Sequence, residues 1–289
     1  MTRKLYDYLE LRKTLENFIQ EDLGTGDVTS ENLRFKDKVV SGVIIYKSKK
    51  PGILCGMEES ELLFQMFGCD TKCMTKDGMK LSSKTQVMEI KGKAKNILKV
   101  ERTALNLLMR MSGIATNTRK FLDITRKIDP SILIAATRKT APGLRIFDKK
   151  AVLVGGGTTH RLRLDDMVLI KDNHLQIEKS ISKLIPFIKK RVGSSIQIEC
   201  EVRNLSGALE AINSGANIIM LDNFSPLNVK KTILKIAQLG LRDKVKIEVS
   251  GGITLDNISK YAISRPDIIS VGQLTHSSPA LDFSLKIVN

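Results

Sequence analysis

Six short apolar runs in the second half of the chain each end in polar or small residues that can do chemistry. The endings follow one another at intervals of roughly 20 to 35 residues, about the length of one βα unit. They supply cations, carboxylates and small-residue turns, namely Arg138, Lys139, Lys171, Glu201, Asp222, Ser250–Gly252 and Gly272. This combination suits an anionic substrate that carries phosphate and binds together with a divalent metal.

The regular spacing of these endings predicts a barrel of parallel strands. In such a barrel the C-terminal strand ends converge on one mouth, where barrel enzymes carry out their chemistry. The repeat occupies about residues 131–275. Because only six clear strand endings are visible, we predict an incomplete or modified α/β barrel.

The residues before this repeat predict a smaller α/β unit in which helices cover part of a sheet. Apolar spacing predicts helices over 5–20 and 57–67, strands over 39–47, 51–55, 70–75 and 86–94, and a long helix from 96 to about 128 with a break near Ser112 and Gly113. We therefore expect an N-terminal domain over residues 1–110 and a barrel domain over 111–289, with the C-terminal tail free to pack back on the first.

The net charge of +16 raises the possibility of nucleic-acid binding. Lysines are spread along the whole chain, however, and aromatic residues make up only 4% of it, which leaves few platforms for base stacking. A lysine-rich, solvated surface is the preferred interpretation, and a basic nucleic-acid-binding protein stays as an alternative.

Targeting signals and metal-binding patterns are weak. No stretch is apolar over the roughly 18 to 20 residues that span a bilayer, and the first residues lack a signal-peptide core, so we expect a cytoplasmic protein without membrane contact.

The four cysteines fit reduced thiols, and Cys69 and Cys73 lack a second pair that would complete a zinc site. With only three histidines in the chain, a histidine-built metal site is not expected.

Four segments combine cations with turn residues: Glu101–Asn106, Ala136–Arg145, Gly155–Arg161 and Met167–His174. Taken alone, Arg102 would be interpreted as a surface ion-pair partner, and the three glycines at 155–157 would be interpreted as an ordinary turn. Together with Glu21–Thr29, Ser112–Thr116, Ser250–Ile253 and Ser270–Ser277, however, these segments closely resemble the quinolinate phosphoribosyltransferase family over essentially the whole chain.

This resemblance implies an N-terminal open-faced α/β sandwich followed by a C-terminal modified α/β barrel. It also implies a homodimer with shared active sites, in which the N-terminal domain of one chain covers the barrel of its neighbour and Arg102 reaches in from the partner. Whether dimers assemble further into hexamers is left open.

The implied reaction joins quinolinate to phosphoribosyl pyrophosphate and gives nicotinate mononucleotide, pyrophosphate and carbon dioxide. Quinolinate is a dianion, and arginine forks match carboxylates with paired hydrogen bonds. The implied substrate-binding residues are Arg102, Thr137, Arg138, Lys139, His160, Arg161 and Lys171, and the backbone of Ser250, Gly251, Gly252, Val271, Gly272 and Gln273 would bind the 5′-phosphate.

Four of the charged residues are assigned to catalysis. Glu201 and Asp222 would hold Mg²⁺, which prefers oxygen ligands, and would stabilise positive charge on the ribose. Lys139 and Lys171 would neutralise the departing pyrophosphate. No organic cofactor and no protein nucleophile are expected.

The chain departs from the family pattern at Ala136, Thr159 and Arg163. The first two remove no charge, and the role of Arg163 is open. His174 and Asn173 are expected to cap a helix or to support the residues that touch substrate, and His276 is expected to be structural. The nearest alternative is the related phosphoribosyltransferase-like protein found with molybdate transport, but Arg102 and the intact Leu169–His174 segment favour the quinolinate enzyme.

Overall fold

The structure is a computed structural model that describes residues 6–288. Its helices are Tyr8–Leu23 (α1), Met57–Met66 (α2), Ala94–Arg126 (α3), Arg145–Val154 (α4), Asp172–Glu178 (α5), Ile181–Val192 (α6), Leu205–Asn213 (α7), Pro226–Gln238 (α8), Ile258–Ala262 (α9) and Gln273–His276 (α10). Its strands are Val39–Tyr46 (β1), Gly52–Ile53 (β2), Asp70–Cys73 (β3), Lys80–Leu81 (β4), Gln86–Lys93 (β5), Leu133–Ala136 (β6), Val168–Ile170 (β7), Ile198–Val202 (β8), Ile218–Asp222 (β9), Lys246–Ser250 (β10), Ile268–Val271 (β11) and Phe283–Val288 (β12).

The described residues form two compact units. The N-terminal unit contains residues 6–117, 146–156 and 278–288, and the barrel unit contains residues 118–145 and 157–277. None of the helices in the described part of the chain is long and apolar enough to cross a membrane.

An antiparallel sheet organises the N-terminal unit, with strand order β12-β1-β5-β3. Alternate residues of β5 are buried because successive side chains of a strand point to opposite faces, and α2 contacts the edge strand β3. The C-terminal strand β12 pairs with β1 along six residues, so the tail of the chain belongs to this unit.

Several predicted elements differ from the observed ones. The first helix spans Tyr8–Leu23 rather than 5–20, and its predicted start at Leu5 lies outside the described residues. The strand predicted over 51–55 is reduced to Gly52–Ile53. The break predicted near Ser112 and Gly113 is wrong, because α3 runs without interruption from Ala94 to Arg126.

Close packing explains why a glycine lies inside this long helix. A Cβ atom at Gly113 would overlap the carbonyl oxygen of Pro279 and come within 3.1 Å of the Ala280 Cα. In the same returning segment, the backbone N–H of Leu281 donates a hydrogen bond to the Met109 carbonyl at 3.0 Å. Gly113 therefore allows the returning tail to lie against α3.

We expect Gly113→Ala to lower the free energy of unfolding by about 1–3 kcal/mol, because the added methyl group must push backbone atoms apart. The matched control is Gly207→Ala in α7, where a Cβ would meet nothing closer than 3.6 Å. Alanine there should be neutral or stabilise by about 0.5–1 kcal/mol through helix propensity. Urea unfolding checks both, and equal effects at the two positions would contradict the packing argument.

In the part of the chain that the structure describes, the barrel unit is built on a parallel sheet of six strands, ordered β6-β11-β10-β9-β8-β7. These strands are the six apolar runs found in the sequence, so the predicted incomplete α/β barrel is confirmed. Their apolar residues are buried, as in β9, where the first four residues are all buried. Because all six run in the same direction, their polar carboxyl ends lie at one edge.

Candidate active site

A cavity of about 530 Å³ opens at the carboxyl ends of the barrel strands. Nine predicted site residues line its wall, each at or just beyond a strand end or in the loop after α4: Thr137, Arg138, Lys139, His160, Arg161, Lys171, Glu201, Asp222 and Ser250. The structure therefore brings together residues that lie more than a hundred positions apart in sequence.

Two arginines, Arg138 and Arg161, line part of the cavity wall. Arg161 is buried, and its guanidinium donates to the Met167 carbonyl at 3.3 Å. Burial lowers the pKa of Arg161, and the neighbouring positive charge of Arg138 lowers it further. The Nε atom of Arg138 is buried and has no hydrogen-bond acceptor among residues 6–288. A pair of like charges with an unused buried donor favours an anionic ligand.

The loop after β6 is held by its own side chains. The Thr137 hydroxyl accepts a hydrogen bond from the Lys139 backbone N–H at 3.1 Å, and the Thr275 hydroxyl donates to the Lys139 carbonyl at 2.8 Å. The Lys139 side chain remains exposed. The backbone is thus fixed while the ammonium group can follow a ligand.

The two predicted metal-binding carboxylates lie on neighbouring strands. Glu201 is on β8 and Asp222 ends β9, and both face the cavity. Burial raises the pKa of Glu201, and the negative charge of Asp222 raises it further. The Asn223 amide donates to the Asp222 carboxylate at 2.5 Å. Two oxygen donors whose charges repel each other fit a divalent cation such as Mg²⁺.

Lys171 follows β7 at the start of α5, where it is exposed to the cavity. Its backbone N–H donates to Nδ1 of His174 at 2.9 Å, and this contact confirms the helix-capping role predicted for His174. Asn173 lines the cavity wall.

The predicted phosphate loops are only partly in the cavity wall. Ser250 lines it, but Gly251, Gly252, Val271, Gly272 and Gln273 do not. Gly251 has φ of +96°, and a Cβ atom there would overlap the Asn223 side chain, so this position requires glycine. A Cβ at Gly272 would lie 3.4 Å from Cδ of Lys139, which places the second loop beside the wall.

The remaining residues singled out from the sequence are not among those that line this cavity. Arg102 belongs to the N-terminal unit, where it is exposed on α3, and its predicted role stays a prediction. Arg163 is exposed and forms a surface ion pair with Asp165, with Nε and Oδ1 3.2 Å apart. His276 is exposed, and its Nδ1 lies 2.6 Å from the Ser277 hydroxyl.

Two glutamates were missed by sequence reasoning. Glu199 and Glu248 are completely buried in β8 and β10, and an Oε2 atom of each lies near Nε2 of His160, at 3.2 Å and 2.8 Å respectively. Each precedes a predicted site residue, Glu201 or Ser250, by two positions. Because side chains two apart in a strand share a face, this spacing was the signal that could have identified them.

Comparisons with known proteins find matches along most of the chain. The N-terminal domain model of the quinolinate phosphoribosyl transferase family matches residues 27–112, and the C-terminal domain model matches residues 114–286. A probable nicotinate-nucleotide pyrophosphorylase (carboxylating) from Archaeoglobus fulgidus is 42% identical over 263 residues, which cover 91% of this chain and 98% of that protein. The human nicotinate-nucleotide pyrophosphorylase (carboxylating) is 38% identical, with coverage of 83% and 80%.

Solved structures show the same fold. The nicotinate-nucleotide pyrophosphorylase from Francisella tularensis superposes with a TM-score of 0.90 at 32% identity and covers 100% of both chains. The NadC structure from Streptococcus pyogenes has a TM-score of 0.89 at 33% identity and covers 98% of this chain and 99% of that one.

Proposed function

Since this chain belongs to the quinolinate phosphoribosyltransferase family, we propose that the barrel cavity binds quinolinate and phosphoribosyl pyrophosphate and joins them in the reaction of that family. The protein is a carboxylating nicotinate-nucleotide pyrophosphorylase, an enzyme of NAD biosynthesis. Its products are nicotinate mononucleotide, pyrophosphate and carbon dioxide.

The observation that carries the substrate assignment is the pair of arginines in the cavity wall. Arg138 has a buried donor without an acceptor among the described residues, and buried Arg161 adjoins it. A planar dicarboxylate supplies acceptors for both guanidinium groups, which bind carboxylates through parallel hydrogen bonds. Quinolinate therefore lies against Arg138 and Arg161, with His160 and Lys171 completing the cationic surface.

The other side of the cavity suits phosphoribosyl pyrophosphate. Glu201 and Asp222 are the residues that would hold Mg²⁺, and when bound this ion supplies positive charge to the diphosphate oxygens. The same carboxylates stabilise the positive charge that the ribose gains as the diphosphate leaves. Lys139 and Lys171 pair with the leaving diphosphate, and the turns at Ser250–Gly252 and Val271–Gln273 offer backbone N–H groups to the 5′-phosphate.

Decarboxylation follows from the chemistry of the ring itself. When the ring nitrogen has bonded to the ribose carbon, it carries a positive charge and can accept the electron pair left as the 2-carboxylate departs as carbon dioxide. The ring carbon then takes up a proton. The protein's contribution is to orient the ring and to hold the remaining carboxylate, so no protein nucleophile takes part.

The first test of this proposal is the choice of acceptor. With Mg²⁺ and phosphoribosyl pyrophosphate, quinolinate should give nicotinate mononucleotide, whereas nicotinate should react at least about 10-fold more slowly at equal concentration. Nicotinate lacks one carboxylate, so it leaves part of the cationic surface desolvated and unpaired, at about 1–3 kcal/mol per group.

Chromatographic detection of the mononucleotide measures both reactions. Arg138→Ala should lower kcat/KM for quinolinate much more than for nicotinate. Arg163→Ala is the control, because it removes an exposed cation that is paired with Asp165 on the surface of the barrel unit. Comparable turnover of the two acids by the wild-type protein would rule out the proposed substrate.

Three further features stay predictions. We propose that the enzyme requires Mg²⁺, that it works in the cytoplasm, and that it is a homodimer in which Arg102 serves the site of the partner. The support for the shared site is that Arg102 lies in the N-terminal unit, exposed on α3, while the other predicted substrate-binding residues lie in the barrel unit.

A further inference from the structure

His160 lines the cavity wall and lies against two buried carboxylates. Its Nε2 is 2.8 Å from Oε2 of Glu248 and 3.2 Å from Oε2 of Glu199. Both glutamates are completely inaccessible, and Oε1 of Glu248 and both oxygens of Glu199 have no hydrogen-bond donor among residues 6–288. Such buried anions need compensating positive charge close by.

The contacts of Nε2 determine what the other ring nitrogen can offer. Nε2 faces carboxylate oxygens, which only accept hydrogen bonds, so Nε2 must carry a proton. Nδ1 makes no hydrogen bond to any described residue, and His160 lines the cavity wall. Nδ1 is therefore the atom available to a ligand, as an acceptor if the ring is neutral and as a donor if it is an imidazolium.

The surrounding charges favour the imidazolium. Burial by itself lowers the pKa of His160, but the adjoining carboxylates of Glu199 and Glu248 outweigh it and raise the pKa to about 10. Arg161, the next residue, lies close enough to Glu199 for their charges to interact. Burial and the charge of Glu248 raise the pKa of Glu199 to about 7, so above that pH two cations face two carboxylates, on β8 and β10, and the buried charges balance.

The backbone at His160 also points to a position that is held in place. Its φ of +55° lies in the left-handed region, which a residue other than glycine seldom adopts. The adjoining segment is fixed by the parallel bridge between Thr158 and Ala135. A backbone conformation of this kind persists only where contacts from the surrounding structure hold it in place. Here the two carboxylates supply those contacts.

We infer that Glu199 and Glu248 are positioning residues that hold His160 as an imidazolium, with Nδ1–H directed at a carboxylate of quinolinate. This inference rests on the proposed function for the identity of the ligand. Its consequence is selectivity for a dianion, because a neutral His160 would present a lone pair to the carboxylate and repel it.

A bound metal ion is the competing explanation, since these three groups could hold one. The 2.8 Å distance between Nε2 and Glu248 is that of a direct N–H···O⁻ hydrogen bond. With Arg161 nearby the cluster needs no further cation for neutrality. Elemental analysis of the purified protein provides the check.

The central experiment compares Glu248→Gln and Glu199→Gln with the wild-type enzyme. Glutamine keeps the size and an acceptor oxygen but removes the charge. For Glu248→Gln at pH 8 we expect the KM for quinolinate to rise by about 10- to 100-fold, because a hydrogen bond to a charged group is weakened. The KM for phosphoribosyl pyrophosphate should change less.

The pH dependence separates this role from a structural one. Glu248→Gln removes one of the two carboxylate charges and leaves that of Glu199, so the pKa of His160 falls from about 10 toward the ordinary range. The imidazolium is then present below the lowered pKa and lost above it. The KM defect of Glu248→Gln should therefore shrink near pH 6 and grow toward pH 9. The control is Glu59→Gln, an equally buried glutamate of the N-terminal unit paired with Lys150 at 2.7 Å, which should lower stability and leave KM unchanged.

The protonation state of His160 can also be measured directly in the wild-type protein, without substrate and without a variant that has to fold. Long-range ¹H–¹⁵N spectra of the wild-type protein should show both nitrogens of His160 protonated at pH 8, and only His174 and His276 compete for assignment. A neutral His160 at pH 8, an unchanged KM in Glu248→Gln at every pH, or a stoichiometric metal ion lost in that variant would each overturn the inference. Failure of the wild-type protein to form nicotinate mononucleotide would instead reject the proposed function and leave the spectroscopic result standing.

Discussion

Glu201→Ala and Asp222→Ala are each expected to lower kcat by about 10²- to 10³-fold while changing the Kd for quinolinate little. Both carboxylates face the part of the cavity assigned to the ribose and Mg²⁺, and their charges already act on each other. Their negative charge matters most when the ribose becomes positive, so their loss raises the energy of the transition state more than that of the bound substrate.

Steady-state rates at saturating substrates and calorimetric binding of quinolinate measure the two quantities separately. Asp243→Ala is the matched control, since Asp243 is exposed and lies just before β10, at the opposite end of the strand from Ser250. Near-wild-type rates in both site variants would mean that the two carboxylates only form ion pairs at their strand ends.

The barrel and most of its mouth could be predicted because local sequence determines them. An apolar run such as Ile218–Leu221 must be buried, and the abrupt change to Asp222 marks where the strand reaches water. Since parallel strands bring such ends to one edge, the chemistry of the mouth follows from the residues that end each run. Nine predicted side chains accordingly line one cavity.

What could not be predicted depends on contacts between distant parts of the chain. A glutamate inside a strand is usually solvated, and nothing local to Glu248 indicates that it meets His160, 88 residues earlier. Likewise, a serine and a glycine inside a helix resemble a break until the tail at Pro279 is known to pack there. Both errors arise because tertiary packing overrides local propensity.

Mixing two inactive variants, Arg102→Ala and Lys171→Ala, is expected to restore activity if sites are shared between subunits. Arg102 lies in the N-terminal unit, and Lys171 lies in the wall of the barrel cavity. If the Arg102 of one chain serves the barrel of the other, a mixed dimer has one site with both substitutions and one site with neither. Free exchange gives about half mixed dimers, so activity should approach about a quarter of wild type per site.

The control for this experiment is a mixture of Arg138→Ala and Lys171→Ala. Both residues line the cavity of the same barrel unit, so every site of every mixed dimer carries one substitution and activity should stay at the parental level. The subunits should be exchanged in mild denaturant, and the fraction of mixed dimers measured by native mass spectrometry before the assay. If Arg102 and Lys171 act through direct charge pairing, as proposed, neither loss can be offset by a change elsewhere in its own chain. A fully exchanged mixture of the first pair that remains as inactive as its parents would show that Arg102 serves its own chain or takes no part, and the shared-site arrangement would have to be abandoned.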